Sequence, residues 1–156
     1  MFAKITKLVA SILIPLVIGF LGSFFTSSSV NNWYATINKP TFNPPNWIFG
    51  PVWTVLFFLI GISFYLVWKK GFGKNKIKII GIYALQLLLN FIWSLLFFGL
   101  QSPALALIEI IILWFVILAN IIIFYKSTKI AGYILIPYLL WVSFATVLNF
   151  AIFILN

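Results

Sequence analysis

Five long apolar runs, separated by short polar or proline-rich breaks, organise the chain: Leu8–Phe25, Trp47–Trp68, Ile79–Leu100, Ala104–Tyr125 and Ala131–Leu155. A helix rises 1.5 Å per residue, so each run reaches across a hydrocarbon core of about 30 Å. Backbone in lipid finds no water to bond, and a helix satisfies its own N–H and C=O groups. A β-barrel would need segments of about ten residues with alternating polarity, and no such alternation occurs. The pattern predicts an all-α membrane protein, a five transmembrane helix bundle, as a single domain over residues 1–156. The first run follows Lys4 and Lys7 and precedes Ser27–Ser29, as a signal peptide would. Its core is longer than the roughly 7–15 apolar residues of such signals, so it is expected to remain as a helix.

Composition and charge add the solvent and the orientation. Of 156 residues, 64% are hydrophobic, 20% aromatic and 7% charged. A soluble domain carries about 25% charged residues, so lipid is the natural surrounding. The net charge of +9 comes from ten Lys, no Arg and a lone acid, Glu109. These lysines fall between apolar runs, which favours a membrane surface over nucleic acid. Nine of them (Lys4, Lys7, Lys69, Lys70, Lys74, Lys76, Lys78, Lys126 and Lys129) collect on one side, and Lys39 stands alone on the other. The positive-inside rule then puts the N-terminus inside and the C-terminus outside. Abundant Ile, Lys and Asn without Arg suggests an AT-rich bacterial genome and hence a bacterial cell membrane.

Candidate chemistry is sparse. With neither Cys nor His, disulfides, zinc sites and the usual haem ligation are excluded. One carboxylate makes no acid–base pair, and no His-based triad is possible. No metal site, no resident cofactor and no conventional catalytic constellation are expected. The loops are more informative. The second is basic and suited to anionic headgroups, and Gln101-Ser102-Pro103 reads as a tight hairpin with Pro opening the next helix. The longest, Thr26–Asn46, carries Pro40, Pro44 and Pro45, with Pro51 just beyond. Proline lowers the entropy lost on ordering, so this segment reads either as a stiff lid or as an interfacial connector with Trp33, Tyr34 and Trp47 in the headgroup belt.

Several blocks in this order are familiar. Trp33-Tyr34-Ala35-Thr36-Ile37-Asn38-Lys39-Pro40, Pro44-Pro45-Asn46-Trp47 and Pro51-Val52-Trp53 come first. Gln86-Leu87-x-Leu89-Asn90-x-x-Trp93-Ser94 and Phe97-Phe98-Gly99 follow, then Pro137-Tyr138-x-x-Trp141-Val142-x-Phe144-Ala145-x-x-Leu148-Asn149. The set resembles the translocator protein family (TspO/MBR, also called tryptophan-rich sensory proteins) over about four-fifths of the chain. The resemblance implies a five-helix bundle, commonly a homodimer, that binds porphyrins and isoquinoline- or benzodiazepine-type molecules. It implies a pocket formed by Tyr34, Pro44, Pro45, Trp53, Asn90, Trp141, Ala145 and Leu148. It also brings light-dependent porphyrin breakdown, with Trp53 and Trp141 as candidate redox residues, and porphyrin transport as alternative activities. Ile37 stands where the family usually has Leu, and Phe57 where it has Tyr. The cholesterol motif of animal relatives is missing, since neither Tyr nor a basic residue follows Ala145.

Depth arithmetic points to the same region. At 1.5 Å per residue, Trp53 and Asn149 lie about 9 Å below the outer surface, Asn90 and Ala145 about 15 Å, and Gln86 and Trp141 about 21 Å. Gln86, Asn90, Trp93 and Phe97 share one helical face. Amides are costly in lipid and should face inward. They serve either as glue between helices or, as a set beneath a stiff loop, as a pocket. Glu109 lies about 7 Å below the outer end of the fourth helix. It is expected to pair with Lys39, to be uncharged or to reach the interface. Gly19, Gly22 and Ser23 on the first helix, and Gly81 and Ala84 on the third, offer small surfaces for a dimer. No inverted repeat is visible, so alternating-access transport is not indicated.

Overall fold

The computed structural model describes residues 2–156. It contains seven α-helices: α1 (Phe2–Ser29), α2 (Trp33–Thr36), α3 (Phe49–Lys70), α4 (Lys76–Ser94), α5 (Pro103–Ser127), α6 (Lys129–Ile134) and α7 (Ile136–Leu155). No strand occurs among the described residues. Short 3-10 turns at Asn46–Ile48 and Gly73–Asn75 lead into α3 and α4, and α6 with α7 makes one span. Five spans result: Phe2–Ser29, Asn46–Lys70, Gly73–Gly99, Pro103–Ser127 and Lys129–Leu155. The predicted five-helix bundle is therefore the observed one.

The spans alternate in direction, so α1 begins, α3 ends and α6 begins at one end of the bundle, here the lysine end. There Lys7 lies 5.6 Å from the Trp68 ring, and the Lys70 ammonium donates to Ser127 O. The opposite, lid end carries residues 30–45 with α2.

Two departures from straight helices matter. The fifth span is broken at Leu135. Pro137 has no N–H to give and disfavours helix before it, so the chain turns through Leu135, whose own N–H bonds Gly132 O at 3.1 Å. The third span ends in a π turn over Leu95–Gly99, closed by Leu100 N–H on Leu95 O at 2.7 Å. Widening the helix by one residue turns the neighbours Phe97 and Phe98 both inward, at 2% and 7% exposure. A uniform helical face accounts for Phe97 alone. Gln101 then reverses the chain at φ 53°, and Ser102 caps α5 through Leu105 N–H, as the hairpin motif predicts.

Helix α1 packs along α3 and, beside it, α4. A β-carbon on Gly61 would sit 2.6 Å from Ser11 O and 2.7 Å from Ile12 Cα. Both are backbone atoms, so α1 and α3 touch main chain to main chain. Gly19 faces the Phe57 ring and Gly22 faces Ser94. These two glycines thus pack within the bundle, which removes them from the dimer surface expected of them. Gly81 and Ala84 do face outward.

Gly61→Ala is expected to destabilise the fold by about 1–3 kcal/mol through overpacking, read as a lower melting temperature in detergent. Gly81→Ala, with nothing within 4 Å of the new carbon, is expected to leave it unchanged or raise it.

Candidate functional site

A cavity of about 270 Å³ lies under the lid between α1, α3, α4 and α7. Trp53 and Phe57 of α3 form one wall, and Asn90 and Trp93 of α4 another. Trp141, Ala145, Leu148 and Ile152 of α7 close the far side. Tyr34 of α2 is the roof, 2% exposed and packed on Phe98 at 5.6 Å and Phe97 at 6.1 Å between ring centroids. Six of the eight residues expected from the family resemblance therefore line one space: Tyr34, Trp53, Asn90, Trp141, Ala145 and Leu148. Pro44 and Pro45 do not line it. They shape the path of the lid, and Pro44 O accepts from the Asn43 amide at 3.2 Å.

The aromatic walls meet edge to face. Trp53 and Trp141 stand 6.5 Å apart at 88°, and Trp53 and Tyr138 6.3 Å apart at 72°. Such crossings suit the ring quadrupoles and leave faces and edges toward a guest. The amides are anchored. Asn90 Nδ2 donates to Tyr138 Oη at 2.9 Å. Asn149 accepts from Trp93 Nε1 at 3.1 Å and donates to Pro103 O at 2.8 Å. Asn149 thereby joins α4, α5 and α7, so the amides are helix glue and cavity lining at once. Gln86 is buried at 1% exposure but lies away from the cavity, and neither of its polar atoms has a protein partner among the described residues.

Sequence reading missed the α1 wall, made by Leu16, Gly19, Gly22, Ser23 and Thr26. The signal was present, as small residues at helical spacing, but it was assigned to a dimer. Also missed was a mouth. Phe20 and Ser23 of α1 and Gly50 and Thr54 of α3 line the cavity and are exposed on the lipid-facing surface. The cavity therefore opens sideways, toward acyl chains.

Glu109 does not pair with Lys39, nor does it reach the interface. It is buried at 7% exposure, and its carboxylate oxygens have no hydrogen-bond partner among the described residues. Lys39 is engaged elsewhere, donating to Tyr34 O at 2.7 Å and Ile37 O at 2.9 Å, with its ammonium 5.1 Å from the Tyr34 ring. The free carbonyls at the end of α2 attract the cation and keep it in the lid.

The Tyr34 hydroxyl donates to Asn43 Oδ1 at 2.6 Å. Burial pushes its pKa from 10.0 up to about 12, outweighing the opposing effect of Asn43, because a phenolate there would lose its hydration. Folding thus favours the protonated form. Its contribution is full below about pH 10, where the unfolded chain is also protonated, and declines as pH rises toward 12. Tyr34→Phe is expected to flatten this alkaline fall in stability, read from melting temperatures between about pH 9 and pH 12.

Comparison with known proteins agrees with this architecture. The profile of the TspO/MBR family matches residues 11–155. The tryptophan-rich protein TspO of Archaeoglobus fulgidus is 53% identical over 98% of this chain and 99% of its own length. The human translocator protein is 36% identical over 85% of this chain and 80% of its own. The tryptophan-rich sensory protein of Cereibacter sphaeroides is 36% identical over 81% and 78%. By the extent of these matches, and by the five spans that carry them, the chain belongs to the TspO/MBR family.

Proposed function

We propose that this protein is a membrane receptor of the sensor type that binds porphyrins, and isoquinoline- or benzodiazepine-like molecules, in the cavity under the lid, and so takes part in regulating tetrapyrrole levels. The observation that carries this reading is the pair of perpendicular indoles, Trp53 and Trp141, set beneath Tyr34 in one hollow. Flat aromatic guests bury area against such rings and pair with them edge-on. The names of the relatives, translocator and sensory protein, agree with a role in handling or sensing something at a membrane.

Size constrains the pose. At about 270 Å³ the cavity lies near the lower end of small-molecule sites, roughly 300–1,000 Å³. A compact two- or three-ring molecule fills it. A tetrapyrrole seats one edge against the indoles and extends into the mouth between α1 and α3. The chain offers iron neither His nor Cys, the usual axial ligands, so metal-free porphyrin is the favoured guest. A homodimer, as the family resemblance implies, would use the outward Gly81–Ala84 face of α4. A second reading, light- and oxygen-dependent breakdown of bound porphyrin, draws on the same two indoles as redox partners.

Metal-free protoporphyrin is expected to quench tryptophan fluorescence with micromolar affinity. Ala145→Phe, which fills the space beside Trp141, is expected to weaken this at least about tenfold, or about 1.4 kcal/mol, while the melting temperature holds. Unchanged affinity in that variant would remove the cavity from the binding role. Under illumination, Trp53→Phe and Trp141→Phe are expected to slow porphyrin bleaching if the second reading holds, and equal bleaching ends it.

A further inference from the structure

We propose that Asn156 latches the lid, so that the roof stays shut toward water and the cavity exchanges its guest with the bilayer through the mouth between α1 and α3. Asn156 follows the last turn of α7 and reads the backbone of Asn38 in the lid much as a neighbouring strand would. The Asn38 N–H donates to Asn156 Oδ1 at 2.9 Å, and the Asn156 amide donates back to Asn38 O at 2.9 Å. The Asn38 side chain adds a bond to Leu155 O at 3.2 Å. Asn156 is itself held to its helix, through Ile152 O at 2.8 Å. One amide thus satisfies both backbone groups of a single lid residue, a reciprocal pairing that a chance surface contact does not produce.

The latch sits where it governs the roof. Asn38 lies between α2, which carries Tyr34, and Lys39, whose ammonium gathers Tyr34 O and Ile37 O. Holding Asn38 therefore holds the segment that seats Tyr34. The same helix that bears the latch also lines the cavity through Trp141, Leu148 and Ile152. Roof and wall are in this way fastened to one element.

Among the described residues, no comparable pairing closes the mouth. A β-carbon on Gly50 would meet no atom within 4 Å. The hydroxyls at the rim turn back on their own helices, Ser23 to Phe20 O at 2.6 Å and Thr54 to Gly50 O at 2.8 Å. A rim with its donors already used presents apolar surface, which suits a guest dissolved in lipid. Such an entrance selects for molecules that partition into the membrane and disfavours charged, water-borne ones.

This inference deepens the reading of the cavity as a binding site, and its test uses no porphyrin, so the two fail separately. The chain has no Cys, and Ala145→Cys places one thiol on the cavity wall. In lipid nanodiscs this thiol is reacted with a charged, membrane-impermeant maleimide and, separately, with an uncharged, lipid-soluble one. The lipid-soluble reagent is expected to react readily and the charged one slowly. Adding Asn156→Ala is expected to raise the charged-reagent rate about tenfold, or about 1.4 kcal/mol, and to leave the lipid-soluble rate within about twofold. Asn156→Asp keeps the acceptor for Asn38 N–H but loses the donor, and is expected to fall between. Gly50→Trp, which plugs the mouth, is expected to slow only the lipid-soluble reagent. Equal charged-reagent rates in the parent and both Asn156 variants overturn the latch. An undiminished lipid-soluble rate in Gly50→Trp overturns the lateral route.

Discussion

The rest of the site depends on how closely α1 approaches α3 near Gly61. There the two helices meet backbone to backbone, with no space for even one methyl group. Lipid supplies no hydrophobic drive to press helices together, so close van der Waals packing must do it, and small residues allow the closest approach. Toward the lid the spacing changes. Gly19 meets the Phe57 ring rather than main chain, and Gly50 meets nothing. The pair forms a wedge, pinched at Gly61 and open at Gly50. The cavity and its sideways mouth occupy the open end.

The wall amides stay in place because they are bonded to neighbouring groups, whereas the Trp141 indole N–H has no hydrogen-bond partner among the described residues. Asn149 takes the Trp93 indole and the Pro103 carbonyl, and Asn90 takes the Tyr138 hydroxyl. In a low-dielectric interior an unpaired amide is costly, and these pairings set the angles between α4, α5 and α7. A guest then meets a preformed aromatic surface. Glu109 and Gln86 are among several other side chains with buried polar atoms that have no protein partner among the described residues. These two lie off the cavity wall, and the binding reading makes no use of them.

The lid shows how a loop becomes part of a site in this architecture. Tyr34 plugs the hollow from above, Asn43 and Lys39 brace it from within the loop, and Asn156 holds the loop to α7. Prolines stiffen the path between these points. The alternative of a simple interfacial connector does not account for a tyrosine at 2% exposure. Trp47, at 73% exposure, does occupy the surface position that the connector reading gave it.

Much of this was legible in the linear chain, because in lipid each segment must satisfy its own backbone. Run lengths alone therefore located five spans, and the cost of buried amides alone turned Asn90, Gln86 and Asn149 inward. Helical spacing and depth placed Trp53, Ala145 and Trp141 together. What sequence reasoning got wrong were relations between segments. Gly19 and Gly22 read as small residues on a helix, and only packing assigned them to α3 and α4 rather than to a second copy. Pairing with Lys39, the lone outer lysine, was one of three expectations for Glu109, and only the fold put Lys39 on lid carbonyls and Glu109 in the core. The π turn that brings Phe98 inward, the break at Leu135, the lateral mouth and the Asn38–Asn156 pairing belong to the same class. Local composition determines whether a segment is a membrane helix, since that balance is struck within the segment. Which faces meet, and where they part to leave a hollow, is decided between segments far apart in the chain, and so appears only in the assembled bundle.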